Sequence, residues 1–558
     1  MKPIAMFLLF CAGLAGEAQI IKRKGPDMIF VNGNVYTGQP GRNARAEAFA
    51  VTAGKFVAVG TNAEIKKLAG SNTQAFDLGN NFVMPGFNDA HLHLANGGFE
   101  KLNVNLVGTR SLEEMLRRIG DRVKTAAPGE WITGRGWDHT KWTKVVLPSR
   151  ADLDKVTGDH PAVFTRVDGH ILVANTAALR AASITKETQP PTGGSIDRDE
   201  SGEATGIIRE TAMGLVGSKV PRPTKEQRRR AIELALEEAA QWGLTSAQDN
   251  SSWEDFLIYE ELQRQNKLTL RITEWLPFDE PVESLKQKRA HHSKLGSWLK
   301  TGQLKGFMDG SLGSSTAALL APYSDDPKNS GLPRYTQEQL DQMVAERIAA
   351  GFQIGFHAIG DLGAEMALNA FEAGAKKAGK DVRELRMRIE HDQVIAPKHF
   401  TRFRDLGVIA SVQPNHLLTD MNWAEARIGK ERAKISYPWA QFAQNSVRQA
   451  FGTDYPVEPI TPFRGLYAAV TRRNEAGTKT YYPEQALNID QAIAAYTRGA
   501  AYAEFSETEK GSIANGMFAD FVVLDRDLTI VRPEEILMTR VLRTVVGGRT
   551  VYDATKRE

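Results

Sequence analysis

The hydrophobic and polar positions of this chain follow two different patterns. Near both ends, apolar and polar residues alternate one by one, as in 27–36, 46–60 and 518–524, and short turns such as Asn-Gly or Gly-Gly separate these runs. A period of two is typical of half-buried strands joined in hairpins. We therefore expect 27–83 and 510–555 to form one composite β-sandwich built from both ends of the chain.

In the middle, short apolar or β-branched runs alternate with helical stretches such as 225–243 and 337–351. This rhythm indicates parallel βα units, and eight of them favour a closed (β/α)8 barrel of the TIM-barrel type, an α/β fold, over 84–509. The predicted barrel strands are 82–89, 244–249, 268–276, 303–309, 352–357, 387–391, 408–413 and 449–454.

A long insertion, 98–223, separates the first two predicted barrel strands. It carries strand-like runs of its own at 131–136 and 163–167. Connections that follow barrel strands project over the face where barrel active sites lie. We therefore expect the insertion to cover part of that face.

The first residues have the pattern of a secretory signal peptide. An apolar run over 4–14 follows Lys2 and precedes the small-residue stretch 15–18, and it is shorter than the roughly 20 residues that a membrane span needs. A buried N-terminal strand is the alternative. We interpret 1–18 as a signal peptide and expect a secreted or periplasmic protein with no stable membrane anchor after cleavage. Cleavage there would also remove Cys11, the only cysteine.

Composition, charge and missing motifs limit the classes of function to consider. The chain has 558 residues, 70 Lys and Arg against 67 Asp and Glu, and 42% hydrophobic residues, which is typical of a globular enzyme. The formal charge of +3 gives no electrostatic reason to expect a nucleic-acid partner. Nucleotide-binding glycine motifs and the G-x-S-x-G pattern of serine hydrolases are also missing from the sequence.

The first predicted barrel strand ends with two histidines, His91 and His93. Side chains at i and i+2 of a strand lie on the same face, so the two imidazoles would lie side by side. A divalent metal uses both of their lone pairs. The pair alone does not distinguish a metal site from two structural histidines.

Four other strand ends bring ionisable groups to the same place. Alternation puts Lys305 and Asp309 on the inner face of the fourth strand, His357 on the fifth, His391 on the sixth and Asp454 on the eighth. Burying a lysine ammonium in a barrel is costly unless something neutralises it. An ion pair between Lys305 and Asp309 is one way to do so.

The faces of the sixth strand follow from the same rule. Met387, Ile389 and His391 are expected to point into the barrel, and Arg388 and Glu390 to point away from it. This arrangement would leave His391 as the only inward ionisable group of that strand.

Five segments together resemble the motifs of the amidohydrolase superfamily. They run in the order of that family: PGFNDAHLH (85–93), DGSLGSSTA (309–317), HAIGD (357–361), IEHDQ (389–393) and GTDYPV (452–457). The second block is similar to the branch that contains N-substituted formamide deformylases. The resemblance extends over about 27–552 and is far more specific for metal dependence than for a substrate.

The resemblance implies a divalent metal cofactor, one or two Zn²⁺ ions, with Mn²⁺ or Fe²⁺ as alternatives. It implies the following metal ligands: His91, His93, Lys305, His357, His391 and Asp454. Lys305 would be a carboxylated lysine that bridges two metals, and carboxylation would turn a costly buried ammonium into an oxygen ligand. If that assignment fails, we expect one metal held mainly by His91, His93, His357 and Asp454.

The remaining predicted site residues concern the reaction and the substrate. Asp454 would be the proton shuttle, and His170 in the insertion resembles a family position near the substrate, where neutral imidazole could polarise a carbonyl. A structural hydrogen bond is the alternative for His170. Trp137 is predicted to form an aromatic wall, and Asp309 and His416 are predicted to line the substrate pocket.

These observations predict a secreted amidohydrolase in which metal-bound hydroxide attacks a non-peptide C–N bond of the amide or N-formyl type. Two alternatives are open: a hydrolytic deaminase of an aminoheterocycle, and a non-catalytic binding protein on a decayed barrel. The expected partner is a small-molecule amide, and a homodimer is an open assembly state.

Overall fold

The computed structural model describes residues 25–39, 41–166, 169–191, 194–292 and 296–556. The predicted signal peptide, 1–18, lies outside these ranges. Among the described residues, no helix combines the length and the apolar character that crossing a membrane requires.

A sheet of eight parallel strands forms the centre of the molecule, with each strand beside its neighbour in sequence. Backbone hydrogen bonds from Asp454 to His91 and from His93 to Tyr455, each 2.7 Å, join the ends of the last and first strands. The predicted TIM-barrel fold is thus confirmed. Its strands are β1 (Phe87–Leu92), β2 (Leu244–Asp249), β3 (Arg271–Pro277), β4 (Leu299–Phe307), β5 (Gln353–Ala358), β6 (Arg388–His391), β7 (Ile409–Val412) and β8 (Gln449–Phe451).

The predicted first strand, 82–89, is two strands in the structure. Phe82–Pro85 pairs within the small β domain, and β1 begins at Phe87. Gly86 lies between them, where a Cβ atom would approach the Thr245 side chain to 2.1 Å. The chain therefore passes from one domain to the other at a point where only glycine fits.

Helices surround the barrel, and those predicted at 225–243 and 337–351 are present. Lys225–Gln241 begins with a capping box between Thr224 and Gln227, and Gly243 follows it with a φ of +80°. The helices of the barrel domain are Leu94–Leu102, Lys225–Gln241, Trp253–Arg264, Val282–His292, Gln337–Ala349, Asp361–Lys377, Val382–Leu385, His399–Leu406, Asn415–Asp420, Ala424–Ala433, Trp439–Gln444, Pro462–Thr471, Ile489–Ala494 and Ala500–Ala503.

The small β domain consists of two sheets that take strands from both ends of the chain. One sheet contains, in spatial order, Lys55–Gly60, Ala48–Thr52, Met28–Val31 and Gln74–Asp77, and the helix Asn62–Lys66 packs against it. The other contains Arg549–Asp553, Val541–Val546, Phe521–Leu524, Phe82–Pro85, Asn34–Tyr36 and Arg45–Ala46.

Aromatic packing holds these two sheets together. The Phe521 ring contacts Phe30 and Phe49 edge to face, with centroid distances of 5.1 and 4.9 Å. A buried ion pair of 2.7 Å between Arg271 of β3 and Asp520 ties the small domain to the barrel. The N-terminal and C-terminal segments thus share one core.

The insertion forms a sheet of its own with short helices. Its helices are Leu112–Val123, Arg150–Thr157, Thr176–Ala181 and Met213–Gly217. Its strands, in spatial order, are Gly194–Arg198, Ala204–Glu210, Ile171–Ala174, Ala162–Arg166, Ile132–Trp137 and Val104–Asn105.

Candidate metal centre and active site

Asp454, just beyond β8, lies at the centre of a cluster of imidazoles. Its Oδ1 is 3.3 Å from Nε2 of His93 and 3.6 Å from Nε2 of His91, and its Oδ2 is 3.2 Å from Nε2 of His416. Two groups of potential ligand atoms share this carboxylate: His91 with His93, and His391 with His416. Alternation along the strands therefore predicted where His91, His93 and Asp454 meet.

A chain of buried charges supports His91 from inside the barrel. Its Nδ1 is 2.7 Å from Oε2 of Glu390, and Glu390 Oε1 accepts a 2.9 Å hydrogen bond from Arg388 Nε. Burial alone would raise the pKa of Glu390, but Arg388 and His91 outweigh it and hold the pKa at about 2. Glu390 is therefore ionised, and a carboxylate behind a metal-binding imidazole fixes the orientation and tautomer of the ring.

The predicted faces of β6 are wrong. Arg388 points into the barrel, where it contacts Trp275 of β3 at 4.5 Å, Gln248 of β2 and Ser411 of β7. Met387 and Ile389 belong to the hydrophobic core outside the barrel. His391 still reaches the imidazole cluster because its φ of +82° breaks the alternation of the strand.

Lys305 of β4 is buried, and its Nζ lies 3.0 Å from Nε2 of His91. Burial lowers the pKa of Lys305 to about 8, although Glu390 and Asp454 oppose the shift. The ion pairs of the described residues do not include one between Lys305 and Asp309. The lysine is thus directed at the cluster.

His357 of β5 and His391 pack against each other with ring centroids 4.4 Å apart. His357 Nε2 donates to the carbonyl of Gly310 at 2.9 Å, which leaves its Nδ1 as the lone-pair atom. Nδ1 of His391 is buried and has no hydrogen-bond partner among the described residues. Both rings therefore keep a nitrogen lone pair available.

The electrostatics favour neutral His91, His357 and His391 beside an ionised Asp454. His416 differs, because its hydrogen bond to Asp454 outweighs burial and raises its pKa. Burial lowers the pKa of His91 to about 4, that of His357 to about 3 and that of His391 well below its ordinary value. Burial opposes ionisation of Asp454, but hydrogen bonds from His416 and His93 hold its pKa well below the usual range. Neutral histidine and ionised carboxylate are the protonation states that metal binding requires.

The backbone at the two strand ends is strained. Asp392 has a φ of +49° and Asp454 a φ of +59°, in the left-handed region that residues other than glycine rarely adopt. His391 also has a positive φ, so three residues at these two strand ends have this backbone conformation. Such strain concentrates at functional sites, where the surrounding structure maintains it.

The residues fit a divalent metal. The donor set is imidazole nitrogens and a carboxylate, with all ligand atoms of each group within 4.8 Å of one another. This chemistry suits Zn²⁺ and other first-row transition metals. A buried lone pair such as that of His391 Nδ1 would otherwise remain unsatisfied.

Asp309 has a different environment from the one predicted. Its carboxylate accepts hydrogen bonds from the backbone N–H groups of Ala318, Ile359 and Gly360, at 2.8 to 3.0 Å, and burial raises its pKa to about 7. These bonds tie the 310–318 loop to the end of β5. They give Asp309 a structural role behind His357, and its predicted contact with substrate stays a prediction.

Trp137 and His170, the two predicted site residues of the insertion, make none of the contacts that define the imidazole cluster. Trp137 is fully buried in the core of the insertion, where its Nε1 donates to the carbonyl of Phe164 at 2.9 Å. His170 is largely exposed, with Nδ1 3.0 Å from Oε2 of Glu210. Their roles at a substrate stay predictions. His416, in contrast, joins the cluster through Asp454.

Sequence reasoning missed the cavity that opens beside the cluster. This cavity of about 210 Å³, here called the β3–β4 cavity, is bordered by His93 and Lys305 on one side. Its other lining residues include Asn250, Trp275, Asp279, Phe307 and Arg334. Asn250 was detectable as a polar residue directly after a predicted strand, but the loop that carries Arg334 has no such signal.

The sequence model of the amidohydrolase family matches residues 74–552, which include the barrel, the insertion and the part of the small domain that begins at Gln74. The chain belongs to the amidohydrolase family. The predicted superfamily is therefore confirmed.

Several relatives of this amidohydrolase extend over nearly the whole chain. Protein LONG AFTER FAR-RED 3 of Arabidopsis thaliana is 34% identical and covers 94% of this chain and 91% of its own. The N-substituted formamide deformylase of Arthrobacter pascens is 26% identical, with coverages of 95% and 99%. A crystal structure of an uncharacterised metal-dependent hydrolase from Pyrococcus horikoshii has a TM-score of 0.75 at 30% identity and covers 91% of this chain and 99% of its own.

The family and these neighbours make the protein a hydrolase of the metal-dependent kind. A divalent metal is accordingly the cofactor that the His and Asp cluster would bind.

Proposed function

We propose that this amidohydrolase cleaves a non-peptide C–N bond of a small amide or N-formyl-type substrate. The observation that carries the proposal is the position of Asp454, an ionised carboxylate within 3.6 Å of three imidazole nitrogens at the open end of the barrel. One residue there can serve both as a metal ligand and as a proton carrier.

The residues divide into two overlapping ligand sets. His91, His93 and Asp454 would hold one ion, and His357, His391 and Lys305 would complete a second site next to it, with Lys305 carboxylated as the family resemblance implies. One or two Zn²⁺ ions, or Mn²⁺ or Fe²⁺, would activate water and polarise the scissile carbonyl.

The proton steps belong to the chain itself. Asp454 would accept a proton as water adds to the carbonyl carbon, and would then return it to the leaving nitrogen, because a C–N bond breaks poorly unless that nitrogen is protonated. His416, whose Nε2 faces Asp454 Oδ2, would keep the carboxylate oriented between these steps. Glu390 would hold His91 in place behind it.

The similarity to the Arthrobacter pascens protein supports this choice of bond, since that protein is an N-substituted formamide deformylase. At 26% identity it supports the chemistry of the site rather than one particular substrate.

The test starts from purified protein whose bound metal is measured by mass spectrometry, removed with a chelator and replaced with Zn²⁺ or Mn²⁺. N-formyl amines, N-acyl amines and aminoheterocycles are then assayed with one preparation. We expect hydrolysis of the first two classes that disappears with the metal and returns with it. Protein that binds no transition metal and gains no activity from one would refute the proposal, and turnover of heterocycles alone would make it a deaminase.

We also propose that the protein acts outside the cytoplasm after removal of 1–18. The apolar run over 4–14 supports this. To test this, the protein is recovered from the periplasm or the medium and the mass of its N-terminal peptide is measured. We expect a peptide that lacks residues 1–18.

A further inference from the structure

Two residues that line the β3–β4 cavity have buried polar atoms without a hydrogen-bond partner in the described part of the chain. Trp275 of β3 is 2% exposed, and its indole N–H has no hydrogen-bond partner among the described residues. Both side-chain amide atoms of Asn250 are likewise buried and unpaired in the described chain. An unsatisfied buried donor is costly, so such groups beside an active site indicate a ligand that accepts hydrogen bonds.

These groups lie next to the metal cluster. The backbone carbonyl of Asn250 is 3.1 Å from Nδ1 of His93, and Trp275 packs against Arg388, the residue that supports Glu390. A molecule in the cavity would therefore lie beside His93 and Lys305 as well as beside Trp275 and Asn250.

An exposed arginine, Arg334, also lines this cavity. The Arg334 guanidinium lies 5.4 Å from the ring centroid of Phe307 and makes no salt bridge within the described ranges. The backbone N–H of Arg334 donates to the carbonyl of Met308 at 2.8 Å, so its loop is fixed to the end of β4. Arginine without an anionic partner in a binding cavity is suited to a planar, two-oxygen anion.

Two distances to the Phe307 ring give an upper limit for the span between Lys305 and Arg334. Lys305 Nζ is 5.1 Å from the centroid of Phe307, close to the distance of Arg334 from that ring. The Lys305 amine and the Arg334 guanidinium are therefore no further apart than the sum of these two distances. The cavity volume of about 210 Å³ suits a small ligand.

One carboxylate also lines the cavity, that of Asp279. It is exposed and forms no ion pair with Arg334 in the described chain, so it does not neutralise the guanidinium at contact distance. Its presence makes charge selectivity measurable, because a cationic ligand would use Asp279 and an anionic one would use Arg334.

We propose that the substrate carries a carboxylate within a few bonds of its scissile carbonyl, and that Arg334 binds this carboxylate while Trp275 and Asn250 hydrogen-bond to the neighbouring polar group. This inference rests on the proposed function and adds to it a substrate class, the anionic amides.

The experiment compares matched pairs of substrates with metal-loaded full-length protein. Each pair is an N-formyl or N-acetyl derivative of an apolar α-amino acid and the corresponding neutral carboxamide. We expect kcat/KM to be about 10 to 100 times higher for the acids, since hydrogen bonds to charged groups contribute in that range. Arg334→Met should bring the acid-to-amide ratio close to one.

Two further variants make the result specific. Lys328→Met removes a positive charge from an exposed position of the same 310–335 loop that does not line the cavity, and the wild-type ratio is expected to remain. Asp279→Asn should leave the preference for acids or increase it. A loss of turnover in Asp279→Asn as large as that in Arg334→Met would overturn the proposal in favour of a cationic substrate group.

Calorimetry separates this inference from the proposed hydrolysis. The ligands are ketone analogues in which CH₂ replaces the amide N–H, one with a carboxylate and one with a carboxamide. Tighter binding of the acid that depends on Arg334 supports the carboxylate site even if no amide is cleaved, an outcome that would refute the proposed function alone. Cleavage of neutral amides with equal or better kcat/KM would refute the carboxylate site and leave the proposed function standing.

Discussion

Glu390 Oε2 lies 2.7 Å from Nδ1 of His91, and both side chains are buried inside the barrel. Because Glu390 is ionised, Nδ1 of His91 carries the proton and Nε2 presents its lone pair to the cluster. The tautomer that a metal needs is thus set before any metal arrives.

Glu390→Gln should weaken metal binding by about 10- to 100-fold, the usual effect of removing a carboxylate behind a metal-binding histidine. The neutral amide cannot enforce the His91 tautomer and leaves Arg388 without a counter-charge. Titration with Zn²⁺ against a competing chelator measures the change.

A matched control is Glu504→Gln at the base of the barrel. Glu504 is also buried and paired, with Lys510 at 2.8 Å, but its bonds to Asn88 and Thr273 do not involve the cluster. It should lower the melting temperature and leave zinc affinity unchanged. Equal losses of affinity in both variants would mean that Glu390 acts only through stability.

Asp454→Asn keeps a ligating oxygen but cannot accept a proton near neutral pH. If Asp454 is the proton carrier, kcat should fall by about two to four orders of magnitude while metal content changes much less. Both are measured on one preparation. A metallated variant with nearly full kcat would remove Asp454 from the mechanism.

If Lys305 bridges two metal ions, Lys305→Ala should lower the metal content from two ions to one, because its side chain is the group directed at His91 from β4. Short carboxylic acids added to the variant are expected to restore part of the activity by occupying the vacated bridge. Unchanged stoichiometry by metal analysis would contradict a bridging role.

Trp137→Phe separates packing from substrate contact. The indole fills the core of the insertion and donates to Phe164, so its loss should lower the melting temperature and leave KM unchanged. A raised KM with an unaltered melting temperature would instead support the aromatic wall predicted from the sequence.

Asp525 in the small β domain provides a dependence on pH. Burial alone would raise its pKa, but hydrogen bonds from Arg526 and Arg540 outweigh burial and lower the pKa to about 2. A carboxylate whose pKa is lower in the folded protein stabilises the fold at pH values above its ordinary pKa. This stabilisation is lost as the pH falls toward 2. Asp525→Asn should therefore melt below the wild type at pH 7, and the difference should shrink below about pH 4.

The sequence predicts the strand ends well because their chemistry is local. His91 and His93 occupy alternate positions of one strand, and the small residues before Asp454 leave space for its carboxylate, so short-range alternation places them. Gly452 also allows the chain to approach β1 closely, since a Cβ there would lie 2.5 Å from the backbone nitrogen of His91.

The rule fails where tertiary contacts determine the backbone. A positive φ at His391 reverses the expected faces of β6, and no local pattern indicates it. Trp137 is an aromatic residue of a type that often contacts substrates, but in the structure it fills a core. Arg334 reaches the cavity because its backbone N–H donates a hydrogen bond to Met308, which is distant in sequence. These outcomes depend on the three-dimensional path of the chain, which periodicity does not report.

The shared core of the chain ends has a consequence for synthesis. Phe82–Pro85 pairs on one side with Asn34–Tyr36 and on the other with Phe521–Leu524, a strand made near the end of translation. At ordinary translation rates its second edge stays open for roughly tens of seconds after it leaves the ribosome. An open, apolar strand edge invites pairing with other chains, so the nascent protein has the most to gain from a chaperone that covers its first hundred residues.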